Sequence, residues 1–271
     1  MNNDNPVIAL EKGNYLAPKF ETHDFGNILI SKTRNDIGNR TALWHKHENP
    51  MVSMVLYGGN LEFRENRQIE RSNGSINFYH AHEYHKNDYR VFPSVHLGVE
   101  IEKSFLSEYA YQESSVKQAF QKGQEATFLL LKLLNEASVG DNTSATSSEM
   151  MLLSFLENTR ADDTLASSAR WMSVVRDILN DKWNTHLSLV DLGNLAGVHP
   201  VTISKNFKKY FNCTFGEYIR RLRVKKAIDL ILLKKHSLSE IAYECGFSDQ
   251  SHFIRVFKRY TGTLPKAIEK I

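Results

Sequence analysis

The sequence predicts an α+β protein in which a region of short strands is followed by a region of helices only. Three observations predict this class. Short apolar segments separated by turn-forming residues fill the first hundred residues. From Ser115 onward the apolar residues recur with helical spacing. Charge also divides the chain, because residues 1–164 hold 16 basic and 22 acidic residues, whereas residues 165–271 hold 18 and 9.

The composition is that of a globular protein. With 41% hydrophobic and 24% charged residues over 271 positions, the chain is neither collagen-like nor wholly disordered. It contains no run of about 18 apolar residues and starts with a polar segment that lacks a secretory pattern. Cys213 and Cys245 fit no metal-ligand spacing and are predicted to be reduced thiols. We therefore expect a cytoplasmic protein without membrane contact.

Short strands at close spacing predict a sandwich or a small β-barrel for the front region. The predicted strands cover residues 28–30, 51–57, 75–79 and 95–101. Turn-forming residues at 58–60, 72–74 and 92–94 separate them.

A helical linker is predicted between this region and the basic C-terminal region. Residues 115–137 have a helical pattern, and Leu129, Leu130 and Leu133 widen its apolar stripe, which suggests a second surface and a homodimer. Residues 138–148 are polar and predict a flexible loop. The resulting domains are 1–105, 106–165 and 166–271, with a preferred boundary at 158–168.

Two helix-turn-helix patterns follow one another in the C-terminal region. In the first, a helix over 189–196 ends at Gly197 and a second helix covers 201–211. In the second, a helix over 238–245 ends at Gly246 and its partner covers 250–260. Each second helix has an apolar face and a polar, basic face, which is typical of base reading in a DNA groove. The net positive charge disfavours the alternative of a helical protein-interaction domain.

The segment between the two patterns predicts one helix, from Phe215 to about Lys235. At 1.5 Å per residue it is about 31 Å long, close to the 34 Å or so that separate successive major grooves. Such a spacer would place the two second helices in adjacent grooves. Its basic residues are candidates for phosphate contacts or for a solvated face; they are Arg220, Arg221, Arg223, Lys225 and Lys226.

About a hundred residues of this region resemble the AraC/XylS transcription regulators. The matching segments include Leu192–Gly197, Ser204–Lys208, Gly216–Ile219, Cys245–Asp249, Arg255–Lys258 and Gly262–Pro265. The resemblance implies an all-α double helix-turn-helix domain that binds a non-palindromic promoter site in double-stranded DNA. It also implies contact with RNA polymerase; the sequence leaves open whether the protein is an activator or a repressor.

The same resemblance implies which side chains read bases. In the first unit they are Val201, Ser204 and Lys205, and in the second they are Gln250, Ser251, His252 and Arg255. Arg255 has the donors to bind both acceptors of a guanine, and Gln250 has the groups to bind an adenine in the same way. Lys208 and Lys258 are expected to contact phosphates, which contributes affinity but not sequence choice.

The front region resembles the cupin barrel, which is also the usual sensor domain of these regulators. His45 and His47 alternate in a predicted strand, so their side chains share one face, and His85 follows after a second strand. These three match the metal histidines of cupins, but Met51 and Val52 stand where the acidic ligand is expected. Three possibilities remain: a zinc or iron site, a small-molecule pocket, or histidines without a ligand.

Together these patterns predict a transcription regulator whose cupin-like domain senses an unknown small molecule and alters the placement of its two DNA readers. We predict no catalytic residues, no enzymatic activity and no cofactor. The candidate ligand-binding residues are His45, His47 and His85. The alternative function is a metal-dependent cupin enzyme fused to a DNA-binding domain.

Overall fold

The computed structural model describes residues 7–36, 43–122, 125–165, 170–185 and 187–270. The chain forms two compact units, residues 1–155 and residues 156–270. We call them the sheet unit and the helical unit. The α+β class is confirmed, with strands confined to the first unit and helices alone in the second among the residues described.

The sheet unit is built on eight strands that form one curled sheet, a half-barrel. The strands are β1 (Ile8–Leu10), β2 (Lys19–Asp24), β3 (Ile28–Asn35), β4 (His45–His47), β5 (Met51–Arg64), β6 (Arg67–Ser72), β7 (Ile76–Tyr79) and β8 (His85–Ile101). The spatial order is β1-β4-β8-β3-β2, and β5 pairs with β6, β7 and β8. β5 and β8 therefore form the centre of the sheet, and most of their residues are buried.

The predicted turns at 58–60 and 92–94 are wrong, because both segments lie inside long strands. The pairing of β5 with β8 shifts register around Gly59, which marks a bulge. Gly59 has a φ of +148°, and a Cβ there would lie 2.1 Å from the carbonyl oxygen of Arg71 on β6. Glycine is needed for this close backbone approach and not for a chain reversal.

Four helices follow the sheet: α1 (Lys103–Glu108), α2 (Glu113–Lys122), α3 (Ala126–Val139) and α4 (Ser144–Leu165). The flexible loop predicted over 138–148 is mostly wrong. α3 ends at Gly140, and α4 starts four residues later, where the Asp141 amide donates to Ser144 Oγ at 3.0 Å. The serines and threonines of this segment belong to a helix start, a position that favours such residues.

The wide apolar stripe of α3 is buried in the sheet unit. Leu129, Leu130 and Leu133 are all buried, so the width of the stripe reflects packing within the chain and does not support a second surface. Dimerisation stays a prediction. The preferred boundary at 158–168 falls partly inside α4, and residues 166–168 lie outside the described residues.

The helical unit contains seven further helices in its described part: α5 (Arg170–Asp181), α6 (Leu189–Ala196), α7 (Pro200–Phe211), α8 (Phe215–Leu233), α9 (Leu238–Glu244), α10 (Gln250–Thr261) and α11 (Pro265–Glu269). Capping boxes fix the starts of α6, α8 and α9 with Ser188, Thr214 and Ser237. α8 ends at Lys234 in the left-handed conformation, close to the predicted end. Among the described helices, none combines the length and apolar character of a membrane span.

Candidate nucleic-acid interface and histidine cavity

The first helix-turn-helix pairs α6 with α7. Gly193 on α6 allows the two helices to approach closely, because a Cβ at this position would lie 2.7 Å from the carbonyl oxygen of Val198. His199 caps α7 and Pro200 occupies its first turn. The local sequence therefore fixes both the angle between the helices and the start of the second one.

The two faces of α7 differ as the sequence predicts. Ile203, Phe207 and Phe211 are buried and belong to a core that also contains residues of α5 and α8. The predicted contact residues Val201, Ser204, Lys205 and Lys208 are all exposed, and Val201 keeps 49% of its surface accessible. An exposed valine among polar and basic neighbours offers apolar contact to a thymine methyl group.

The second helix-turn-helix pairs α9 with α10. Asp249 caps α10 by accepting from the His252 amide at 2.7 Å. Phe253, Val256 and Phe257 form the buried face. The predicted contact residues Ser251, Arg255 and Lys258 are exposed, while Gln250 and His252 are half-buried.

The half-buried pair on α10 is held by neighbouring hydroxyl groups. Ser239 Oγ donates to Gln250 Oε1 at 2.6 Å, and Ser248 Oγ lies 3.0 Å from His252 Nδ1. The Gln250 amide is therefore oriented before any DNA contact. Within the described residues, Arg255 and Lys258 have no ion-pair partner, so their charges face solvent.

Arg223 on α8 has a structural contact that the sequence analysis missed. Its guanidinium donates to the carbonyl oxygens of Gly246 at 2.6 Å, Trp183 at 3.3 Å and Thr185 at 3.4 Å. Three backbone acceptors occupy this side chain, so it ties the turn before α10 to the segment after α5. Of the five basic residues on α8, Lys225 and Lys226 are the exposed ones.

In the sheet unit, the three predicted ligand-binding histidines come together. His45 and His47 lie on β4, and His45 pairs with His85 at the start of β8. Their ring centroids are 4.2 Å apart for His45 and His85 and 5.4 Å apart for the other two pairs. All three line a cavity of about 80 Å³. Glu48 follows β4 directly and is exposed.

Burial keeps these imidazoles neutral. It lowers the pKa of His45 and lowers that of His47 to about 3, with His45 adding to the effect. The pKa of His85 is also far below its usual value for the same reason, with the other two histidines contributing. Neutral rings offer a lone pair to a ligand at physiological pH.

Other polar side chains dominate the wall of this cavity. They include Ser31, Thr33, Asn35, Ser53, Arg71, Tyr79, Asn87, Tyr89 and His96. His96 is buried and interacts with Ser94 Oγ at 2.8 Å. A cavity of this size and polarity fits water, an ion or a small polar molecule.

A buried charge network behind the cavity was also missed. Glu62 accepts hydrogen bonds from Arg64, Arg71, Asn77 and Tyr79 at 2.6–3.2 Å. Arg64 also contacts Glu83. One signal was present in the sequence, because Glu62 and Arg64 alternate in a strand and so share a face. Their inward direction depends on how the sheet curls.

Comparisons with known proteins agree with this architecture. Residues 192–270 match the family model described as a helix-turn-helix domain. The chain is 22% identical over 248 residues to the HTH-type transcriptional activator RhaS of Shigella sonnei (strain Ss046), covering 83% of this chain and 87% of RhaS. It is 34% identical over 100 residues to the probable transcription factor PqrA of Proteus vulgaris, covering 34% of this chain and 80% of PqrA.

A solved structure of ToxT from Vibrio cholerae covers 89% of this chain and 98% of its own. That alignment has 13% sequence identity and a TM-score of 0.37.

Proposed function

This chain belongs to the AraC family of DNA-binding transcription regulators, and from that premise we propose that it reads a promoter site with α7 and α10 in adjacent major grooves. Its sheet unit would sense a small-molecule effector and alter the placement of these two helices. RhaS is named a transcriptional activator, which supports activation through RNA polymerase as the mode of regulation.

The observation that supports this proposal is that α7 and α10 each have an exposed face and that α8 connects their two helix-turn-helix units. A helix of 19 residues is about 28 Å long. That length is comparable to the groove repeat of about 34 Å. Both helix-turn-helix units pack on this one helix, so their spacing is set by a rigid element and not by a flexible linker.

The exposed side chains divide into two chemical roles. The side chains on the first half of each reader helix are assigned to base edges; they are Val201, Ser204 and Lys205 on α7, and Ser251, Arg255 and the half-buried Gln250 and His252 on α10. Lys208 and Lys258 lie one turn further along, where an ammonium group suits the phosphate backbone.

Replacing Arg255 with alanine should weaken binding to the promoter site about 5- to 150-fold, because a guanidinium bound to two guanine acceptors contributes about 1–3 kcal/mol of discrimination. Binding to random-sequence DNA should change little. The matched control is Lys258→Ala, one turn away on the same exposed face. It should weaken both kinds of binding alike and reduce the dependence of log affinity on log salt by about one unit.

The measurement is fluorescence anisotropy on both DNAs over a salt series, with a site first mapped by genome-wide occupancy. If the two variants behaved identically, the division into base and phosphate contacts would be wrong.

The polar cavity of the sheet unit supports the sensing part of the proposal. An effector changes DNA binding only if it has different affinities for two states of the protein. Such a ligand would contact His45, His47 and His85, which converge on the cavity. Described side chains fill part of this space, so the ligand must be small.

A cavity-filling variant tests this sensing role. Ser53 is buried on β5 and lines the cavity, so Ser53→Leu should occupy the space that an effector needs. We expect the Ser53→Leu variant still to occupy the promoter. Its occupancy should no longer differ between growth media that contain different candidate metabolites. The control is Ser72→Leu, the same substitution at an exposed position of β6. An unchanged response in the Ser53 variant would refute effector binding in this cavity.

A further inference from the structure

We propose that Ser239 on α9 determines which base α10 selects, because it holds the side-chain amide of Gln250 in one orientation. Ser239 lies outside the helix assigned to the groove, so it is a positioning residue for Gln250 and not itself a base contact. The inference rests on the proposed function, since it assumes that α10 reads bases in a major groove. It adds the class of base that Gln250 selects.

A hydrogen bond between the two helices fixes the Gln250 side chain. Ser239 Oγ donates to Gln250 Oε1 at 2.6 Å. Hydrogen bonds between two oxygens have typical lengths of about 2.7–2.8 Å, whereas those between an amide nitrogen and an oxygen are typically about 2.9–3.0 Å long. The short distance therefore identifies the amide atom that faces Ser239 as the oxygen. The nitrogen Nε2 is the amide atom that remains for DNA.

The backbone on both sides of this hydrogen bond is held in place. Ser239 lies in the first turn of α9, which starts with a capping box between Ser237 and Glu240. Gln250 is the first residue of α10, directly after the capping residue Asp249. The two helices pack against each other, and the Gln250 side chain is half-buried. The two side chains therefore meet at positions that the fold itself sets.

The orientation of the amide decides which hydrogen-bonding groups reach DNA. A glutamine binds adenine through both amide groups, since its oxygen accepts from the N6 amino group while its nitrogen donates to N7. Among the described residues, Ser239 is the one hydrogen-bond partner of the Gln250 amide, so both N–H groups of Nε2 are available. Guanine presents two acceptors, O6 and N7, to the major groove. Gln250 in this orientation therefore selects guanine, where the sequence alone suggests adenine.

Adenine is disfavoured because it competes with Ser239 for the same oxygen. An amide oxygen has two lone pairs, and Ser239 occupies one of them. Use of the second lone pair would require Oε1 to satisfy the hydroxyl and the base at the same time, from a side chain tied to α9. Turning the amide over would break the hydrogen bond to Ser239, a penalty of about 2- to 12-fold in affinity.

Binding of the full-length protein to base-substituted promoters tests the inference. With the promoter site mapped by genome-wide occupancy, each base pair is replaced in turn by the other three, and affinity is measured by fluorescence anisotropy. The position at which Gln250→Ala loses its base preference is the one that Gln250 reads. We expect the wild type to prefer guanine over adenine at this position by at least about 5-fold, the lower limit for a good base contact.

Removal of the Ser239 hydroxyl should change that preference. In Ser239→Ala the amide is free to bind adenine through both groups, so the ratio of guanine affinity to adenine affinity should fall to about 1 or below. Ser239 is exposed, and alanine is the residue most favourable to a helix, so the variant should fold. Ser239→Thr keeps a hydroxyl at this position and should retain the guanine preference.

The matched control combines the substitution with loss of Gln250. In a Gln250→Ala background, Ser239→Ala should leave base preference unchanged, because Ser239 acts through that amide. A wild type that prefers adenine at this position, or a Ser239→Ala variant with the wild-type preference, overturns the inference. An effect of Ser239→Ala that persists without Gln250 overturns it as well.

Comparison with Arg255→Ala separates this inference from the proposed function. If Arg255→Ala weakens promoter binding as expected while Gln250→Ala changes no base preference, α10 reads bases without this amide, and the inference alone is refuted. If neither variant changes the preference for any base pair, α10 does not read bases and both are refuted.

Discussion

Replacing Glu62 with glutamine is expected to lower the free energy of unfolding of the sheet unit by about 3–5 kcal/mol, the usual cost of removing one partner from a buried ion pair. Glu62 is 0% exposed and faces the guanidinium groups of Arg64 and Arg71. The amide keeps the shape of the side chain but loses the charge. Arg64 then keeps only Glu83 as a contacting carboxylate among the described residues, and Arg71 keeps none.

Hydrogen exchange of the peptides that cover β5 to β7 measures this effect without interference from the helical unit. The control is Glu70→Gln, the same substitution at an exposed position of β6, which should change stability by less than about 0.5 kcal/mol. Equal protection in the two variants would mean that the buried carboxylate contributes nothing to stability.

Phe207→Ala is expected to destabilise the helical unit by about 3–5 kcal/mol. Phe207 is 1% exposed, its ring lies 4.4 Å from that of Phe211, and it meets Phe215 and Tyr218 edge-on at 5.7 Å. The truncated side chain would leave a cavity between α7 and α8, because aromatic neighbours fixed on two helices cannot collapse fully into the space. DNA binding should fall with the folded population.

The adjacent exposed residue provides the control for this change. Lys208→Ala should change the free energy of unfolding in urea by less than about 0.5 kcal/mol and still weaken DNA binding, since Lys208 is assigned to a phosphate. Unfolding followed by Trp171 and Trp183 fluorescence measures stability, and anisotropy measures DNA binding. A stable Phe207 variant that fails to bind DNA would show that this ring acts on DNA recognition directly and not through folding.

The helical unit was predictable because its determinants are local. A capping residue followed three positions later by an acid starts α6, α8 and α9, and each of these starts is visible in the sequence. The apolar face of α10 recurs at helical spacing, so its buried residues could be assigned from sequence as well. Sequence alone also predicted the exposed positions of Val201, Ser204, Lys205 and Arg255, and their contact with DNA stays a prediction.

The sheet unit was less predictable because its determinants are distant in sequence. Gly58 and Gly59 look like a hairpin turn, but Gly58 is needed where the carbonyl of Pro93 approaches from β8, and Gly59 where the carbonyl of Arg71 approaches from β6. The polar residues 138–148 resemble a linker in sequence, but Ser144 among them lies at the start of α4. Strand length and register depend on the partner strand, which the local pattern does not contain.

The histidine cavity lies between these two cases. His45 and His47 were expected to share a face because they alternate, and the match to a known motif added His85. The proton positions of His45 and His85 were not predictable, since they depend on the carbonyls of Leu43 and Glu83. The Arg223 contacts were missed for the same reason. Its acceptors are backbone carbonyls distant in sequence, and the local helical pattern does not contain them.

Those Arg223 contacts limit how the two helix-turn-helix units can be exchanged between related proteins. One guanidinium binds carbonyls of the segment after α5 and of the turn before α10. The pair α9 and α10 therefore cannot be exchanged independently of the preceding part of the helical unit. A chimera that imports a foreign second reader would also need an arginine at this position of its spacer and the carbonyls that receive it. Specificity for a DNA sequence is therefore altered most easily by substituting single exposed side chains while the rest of the helical unit is kept unchanged.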